Sequence, residues 1–228
     1  MIGLSNFLTA TALPLNVILE RMADGIFESI KIFMITIILS MPLGLIVSFG
    51  RMSKITILRW IVNAYISIMR GTPLMLQIIA IYFGPYYLFG VSLSNDYKFT
   101  AIIIAFVVNY AAYFAEIYRS GIESMPVGQY EAAKLLGYTK LQTFTRIIWP
   151  QVMKRILPSV TNEVICLVKD TSLAFSVSYI EMFSIAKQLA SSTASFTPLL
   201  VAGVFYYVFN AVVAFVMSLL EKRYSYYK

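Results

Sequence analysis

The sequence predicts an all-α fold that lies in a bilayer and crosses it about five times, and three observations carry that prediction. The 228-residue chain is 59% hydrophobic with a mean hydropathy of +0.77, more apolar surface than one water-soluble core of this length can bury. Its apolar residues collect into five segments, at about 26–49, 60–90, 100–119, 147–178 and 197–220, each long enough for the roughly 20 helical residues that a hydrocarbon core about 30 Å thick requires. The basic residues stand at the ends of those segments rather than in polybasic runs interleaved with aromatics, so the net charge of +7 orients the chain in a membrane and does not point to nucleic acid.

Residues 1–23, with Pro14 and the polar Asn6 and Asn16, read as a short external segment before the first span, without the basic n-region of a cleaved signal. The second and fourth segments are too long for single straight spans. In the second, the run Arg70-Gly-Thr-Pro73 predicts a kink, because proline lacks a donor and clashes with the preceding turn. In the fourth, Pro150, Pro158 and the polar run Lys169-Asp-Thr-Ser172 predict a bent or interrupted helix.

Loop charges set the orientation. Arg51, Lys54 and Arg59 follow the first segment; Arg119, Lys134, Lys140, Arg146, Lys154 and Arg155 lie between the third and fourth; Lys222, Arg223 and Lys228 close the chain. The other side has only Arg21, Lys98 and Lys187, with Lys31 just inside the first span. The positive-inside rule therefore places the N-terminus outside, with the loop at 121–146 and the tail at 221–228 in the cytoplasm. In that loop Tyr130, Ala133, Leu136 and Leu141 alternate with Gln129, Glu131, Lys134 and Lys140, the pattern of a short amphipathic helix that Gly137 interrupts. Such a helix either lies on the membrane surface or docks a cytoplasmic partner.

Catalytic machinery is absent from the pattern. There is no histidine, no metal-ligating cluster and no Gly-x-x-x-x-Gly-Lys-Ser/Thr phosphate loop, and the single cysteine, Cys166, reads as a packing residue. The chain is expected to be no enzyme and to bind no cofactor or metal.

Ionisable side chains at membrane depth cost about 2.5–3.5 kcal/mol on insertion scales, so each marks a candidate site. Asn109, Tyr113 and Glu116 share one face of the third segment, and Glu163 and Asp170 share one face of the fourth, with Asn162 and Lys169 in the adjoining row. These two faces are expected to meet across a polar cavity. For several of them a structural role competes. Arg119, three residues after Glu116, suffices to neutralise it, Lys169 and Asp170 are able to neutralise each other, and Ser172 suits bracing of an interrupted helix. Arg70 reads as a pivot or anchor. Glu163 has no basic residue at i±3 or i±4, so another helix or the substrate must supply its cation.

Glu131-Ala-Ala-Lys-Leu-Leu-Gly137, followed nine residues later by Ile147-Ile-Trp-Pro150, resembles the EAA loop of the membrane subunits of bacterial ATP-binding-cassette importers, with Trp149 where leucine is usual. The runs beginning at Tyr65, Asn109 and Leu167 are similar to the polar amino-acid permeases, the subfamily of histidine, glutamine, arginine and cystine importers, and the likeness covers about residues 26–220. The resemblance implies the type I importer permease architecture: one transmembrane domain over 1–228, working as half of a two-fold pair with a second copy or a homologous permease. It also implies a bacterial cytoplasmic membrane, an extracytoplasmic amino-acid-binding protein, and separate ATPase subunits that hold ATP and magnesium and dock on Gly128, Glu131, Ala132, Ala133 and Gly137. The cargo is then a polar amino acid, cationic or cystine, carried by alternating access past Glu163, Asn109, Tyr113, Glu116, Asn162, Lys169, Asp170 and Ser172. The alternative from another class is a proton-coupled secondary transporter using the intramembrane carboxylates; it calls for an inverted repeat, and the sequence displays none.

Overall fold

A computed structural model describes residues 13–92 and 94–224. The chain runs through α1 (Leu15–Arg51), α2 (Thr56–Gly71), α3 (Leu74–Phe89), α4 (Asn95–Glu123), α5 (Val127–Leu135), α6 (Trp149–Asp170), α7 (Met182–Thr193) and α8 (Thr197–Tyr224). Helix α6 is entered through a helical turn, Lys140–Gln142, and a π-helical stretch, Thr143–Ile148; it leaves through a 3₁₀ stretch, Thr171–Val177. Among the described residues α1, α4 and α8 are long and apolar enough to cross a membrane, and the pair α2 and α3, which turns through 109° at its break, passes the same test only when the two are taken together. The fifth expected span, α6, carries Lys154, Arg155, Glu163, Lys169 and Asp170, which places it outside that apolar set.

Where helices begin and end follows from local chemistry. The second segment breaks at Thr72–Pro73, as its proline predicts, with the Thr72 hydroxyl and N–H both donating to the Ile68 carbonyl that α2 leaves unpaired. The wide π stretch lies just ahead of Pro150, which cannot donate back along the helix; the Trp149 N–H reaches five residues back to Phe144. At the far end of α6 the Thr171 hydroxyl donates to the Val168 carbonyl and Ser172 to that of Lys169, so the polar run braces the change of winding.

Two expectations are corrected. Residues 15–23 are not a surface segment but the first turns of α1, where Ile18 and Met22 are fully buried; residues 1–12 and 225–228 lie outside the described residues. In the loop, Ala133 is buried while Leu136 and Leu141 are more than 70% exposed. Cys166 is exposed rather than packed.

The chain forms two compact units. The first takes residues up to Ile37, Pro73–Phe106 and Cys166–Val212; the second takes Ile38–Thr72, Val107–Ile165 and the chain from Val213 on. In the first, Ile18 and Met22 of α1 pack on Met182, Ala186 and Leu189 of α7 and on Ala202 of α8. Gly25 allows this approach: a Cβ there would stand 2.9 Å from the Met182 backbone. In the second, Ile66 packs on Ala112 and Ala115 among Val47, Val62, Tyr65 and Met69. Outward-facing Phe27, Ile38, Ile46, Tyr207 and Phe215 are 60% or more exposed, an apolar surface suited to lipid.

Candidate functional site

The second unit holds a cavity of about 430 Å³ lined by Arg70, Tyr113, Glu116, Arg119, Arg155 and Glu163, with Ser120, Ser124 and Ser159 between them. Each wall is set by helix position. Tyr113 and Glu116 lie on one face of α4, and Glu163 and Ser159 are one turn apart on α6. The last turn of α2 brings Arg70, held by the Asn109 amide, which donates to the Met69 carbonyl at 3.0 Å, and by the Tyr65 hydroxyl donating to the Val108 carbonyl.

Glu116 is the electrostatic centre. The Arg119 guanidinium meets it at 2.7 Å, the expected i, i+3 pair, and reaches Glu123 as well. Arg51, from the end of α1, donates to it at 3.3 Å, and Arg70 stands 4.0 Å away with its guanidinium 5.3 Å from the Tyr113 ring centre. Sequence reasoning found the Arg119 pair because the two residues share a helix; Arg51, 65 residues away, leaves no local signal.

Of the remaining candidates, Asn109 is buried under Met69 rather than open to the cavity. Asn162 is exposed on α6 and does not line it. Lys169, Asp170 and Ser172 belong to the first unit, where Ser172 braces the end of α6. The sequence did not single out Arg155, whose guanidinium donates to the Ser124 carbonyl at 2.8 Å and its hydroxyl at 3.1 Å.

The loop helix is fastened to the same wall. Gln129 of α5 and Gln151 of α6 exchange two amide hydrogen bonds, at 2.9 and 3.0 Å. Trp149, the departure from the usual leucine, packs its ring against Tyr118 and Phe144. Gly128, Glu131, Ala132 and Gly137 are exposed; Ala133 is buried within the chain, so no outside partner touches it directly. Gly137, at φ +79°, ends the helix in the left-handed conformation that glycine adopts without a Cβ penalty, and the Thr139–Gln142 capping box starts the next turn.

The described residues thus form a helix bundle with apolar outward faces, a polar cavity and an exposed helix tied to the cavity wall. The chain belongs to the binding-protein-dependent transport system inner membrane component family, whose model matches residues 40–226. It is 34% identical over 221 residues to the L-cystine transport system permease protein TcyB of Bacillus subtilis, covering 93% of this chain and 92% of that one. It is 32% identical to the arginine transport system permease protein ArtQ of the same organism, covering 88% and 90%. It is also 32% identical to the putative glutamine transport system permease protein GlnP of Rickettsia typhi, covering 88% and 91%. Among solved structures, an amino acid ABC transporter with histidines superposes with a TM-score of 0.81 at 29% identity over 93% of this chain and 99% of that one. The MetNI methionine transporter shares the fold, with a TM-score of 0.74 at 17% identity over 93% and 99%. The chain is thus the membrane subunit of an ATP-binding-cassette importer of the amino-acid permease type, with ATP hydrolysis on a separate subunit. Membership in this family displaces the proton-coupled secondary transporter.

Proposed function

We propose that this chain, as one permease domain over its 228 residues, forms half of a two-fold pair that moves a polar amino acid, cationic or cystine, into the cytoplasm by alternating access. An extracytoplasmic binding protein delivers the cargo. ATPase subunits, holding ATP and magnesium, dock on α5 through Gly128, Glu131, Ala132 and Gly137, and the N-terminus is external with the C-terminus cytoplasmic in a bacterial membrane. The observation that carries this reading is the fastening of α5 to α6: the Gln129–Gln151 amide pair links an exposed helix to the helix that lines the cavity with Glu163, and the Arg155–Ser124 bonds tie the turn between α4 and α5 to the same helix. A push on α5 then moves a cavity wall. The relatives' names, spanning cystine, arginine and glutamine, support an amino-acid cargo, and the Glu163 carboxylate in the cavity supports a cationic one.

Two substitutions test it. Gly128 is exposed, has open space around it and an ordinary φ, so Gly128→Leu obstructs docking without straining the backbone as a side chain at Gly137 would. Transport and ligand-stimulated ATP hydrolysis should both fall while the binding protein keeps its ligand affinity; normal stimulation at normal membrane abundance would refute the docking role. In competitive uptake by the full assembly in proteoliposomes, Glu163→Gln should lower apparent affinity for cationic amino acids by roughly 10- to 100-fold, the worth of one charge-assisted bond, and should affect neutral ones much less. An equal loss for every substrate would instead make Glu163 part of a structural ion pair.

A further inference from the structure

We propose that Arg70 binds the α-carboxylate of the cargo, the group every amino acid shares, while Glu163 meets the part that differs; this rests on the cavity being the cargo site. Three arginines line the cavity, and the bonding of two of them singles out the third. Arg119 is spent on Glu116 and Glu123, and Arg155 on Ser124. Glu116 in turn already accepts from Arg119 at 2.7 Å and Arg51 at 3.3 Å, so Arg70, at 4.0 Å, is its most distant partner. The contacts of the Arg70 guanidinium are that approach to Glu116 and the Tyr113 ring, and its side chain is 44% exposed.

The setting suits a carboxylate. The Arg70 guanidinium carbon lies 5.3 Å from the centre of the Tyr113 ring, within the range of a cation–π contact. A guanidinium edge matches a carboxylate in a two-bond fork, which an ammonium cannot reproduce. The group is also held in place, because the preceding residue, Met69, is pinned by Asn109 and the helix ends one residue later at Gly71. A role as helix-end cation alone accounts for the charge at this position but not for its opening into the cavity.

The test is equilibrium binding of arginine and of arginine amide, which lacks the carboxylate, to the permease–ATPase assembly in nanodiscs. The external binding protein is omitted, because its own selectivity would mask that of the membrane site. The wild-type assembly should prefer arginine by roughly 10-fold or more. Arg70→Gln should abolish that preference by weakening arginine alone, and Arg70→Lys, which keeps charge but loses the fork, should retain part of it. An equal loss for both ligands, or a wild type with no preference, would overturn the proposal. If Arg70→Gln fails to assemble, the Arg70→Lys preference decides, and a full wild-type preference there overturns the proposal. Glu163→Gln should change the ratio of arginine to glutamine and leave that of arginine to its amide intact. Failure of that arm alone removes the side-chain reading, whereas a wild-type assembly that binds neither ligand removes the cargo cavity and this proposal with it.

Discussion

Glu116 in the second unit and Glu181 in the first are both enclosed carboxylates, satisfied in opposite ways. Glu116 sits among guanidinium groups from α1, α2 and α4 beside a cavity. Glu181, fully buried, accepts from the Phe183 and Ser184 N–H groups at 2.7 Å, from the Ser184 and Tyr206 hydroxyls at 3.0 and 3.1 Å, and from Ser29 at 3.5 Å. It caps α7 and ties that helix to α1 and α8 without a cation among these partners. The difference separates two uses of a carboxylate: one gathers guanidinium groups from three helices beside a cavity, and the other supplies oxygen acceptors that fix a helix end. In the first the charge matters most; in the second the acceptors do.

The largest expected effect follows from removing only the charge at Glu116. Glu116→Gln leaves Arg51 and Arg119 close together without their shared counter-ion and should destabilise the assembly by about 2–3 kcal/mol, below the range for a fully buried pair because the group is partly exposed. Thermal unfolding in nanodiscs measures it, and adding Arg51→Gln should recover part of the loss. A fully additive double variant would show that the arginines act independently. At Glu181 the same change should cost less than removal of the side chain, since Phe183 and Ser184 donate to different carboxylate oxygens and glutamine keeps one of those two acceptors. Glu181→Ala, which orphans those N–H groups, should cost about 1–2 kcal/mol. A Gln variant as unstable as Ala would place charge, not acceptors, at the root of the Glu181 network and erase the contrast.

The smallest effect is a slope. Burial, opposed by the backbone N–H bonds, holds the Glu181 carboxyl above the usual carboxylate range. The folded state then binds this proton more tightly than the unfolded chain, so the contribution is full below the unfolded value of about 4.3 and declines as pH rises toward the folded one. Wild-type stability should therefore carry a component that falls with rising pH above about 4, and Glu181→Gln should lack it. An identical pH profile in the two proteins would sink this assignment.

How much of this was legible beforehand depended on distance along the chain. The break at Pro73, the change of winding after Asp170, the end of α5 at Gly137 and the Glu116–Arg119 pair are all dictated within four residues or so. Glu181 was missed because a carboxylate one residue ahead of an apolar helix reads from sequence as an ordinary surface cap, and its burial depends on Ser29 and Tyr206 from other helices. The surface reading of residues 15–23 failed for the same reason: Ile18 and Met22 are buried by α7, more than 150 residues later.

By itself, then, the sequence determined the membrane solvent, the positions of the helix breaks and the short helix of the loop, because hydropathy, proline, glycine and capping act through the backbone nearby. Only the tertiary structure decided which charges share a site. The Arg51, Arg70 and Arg119 cluster on Glu116, the opening of Glu163 into the same cavity and the withdrawal of Asn109 to hold Met69 all arise where helices distant in sequence meet. Coulomb attraction and hydrogen bonding depend on separation in space, and packing, not spacing along the chain, sets that separation.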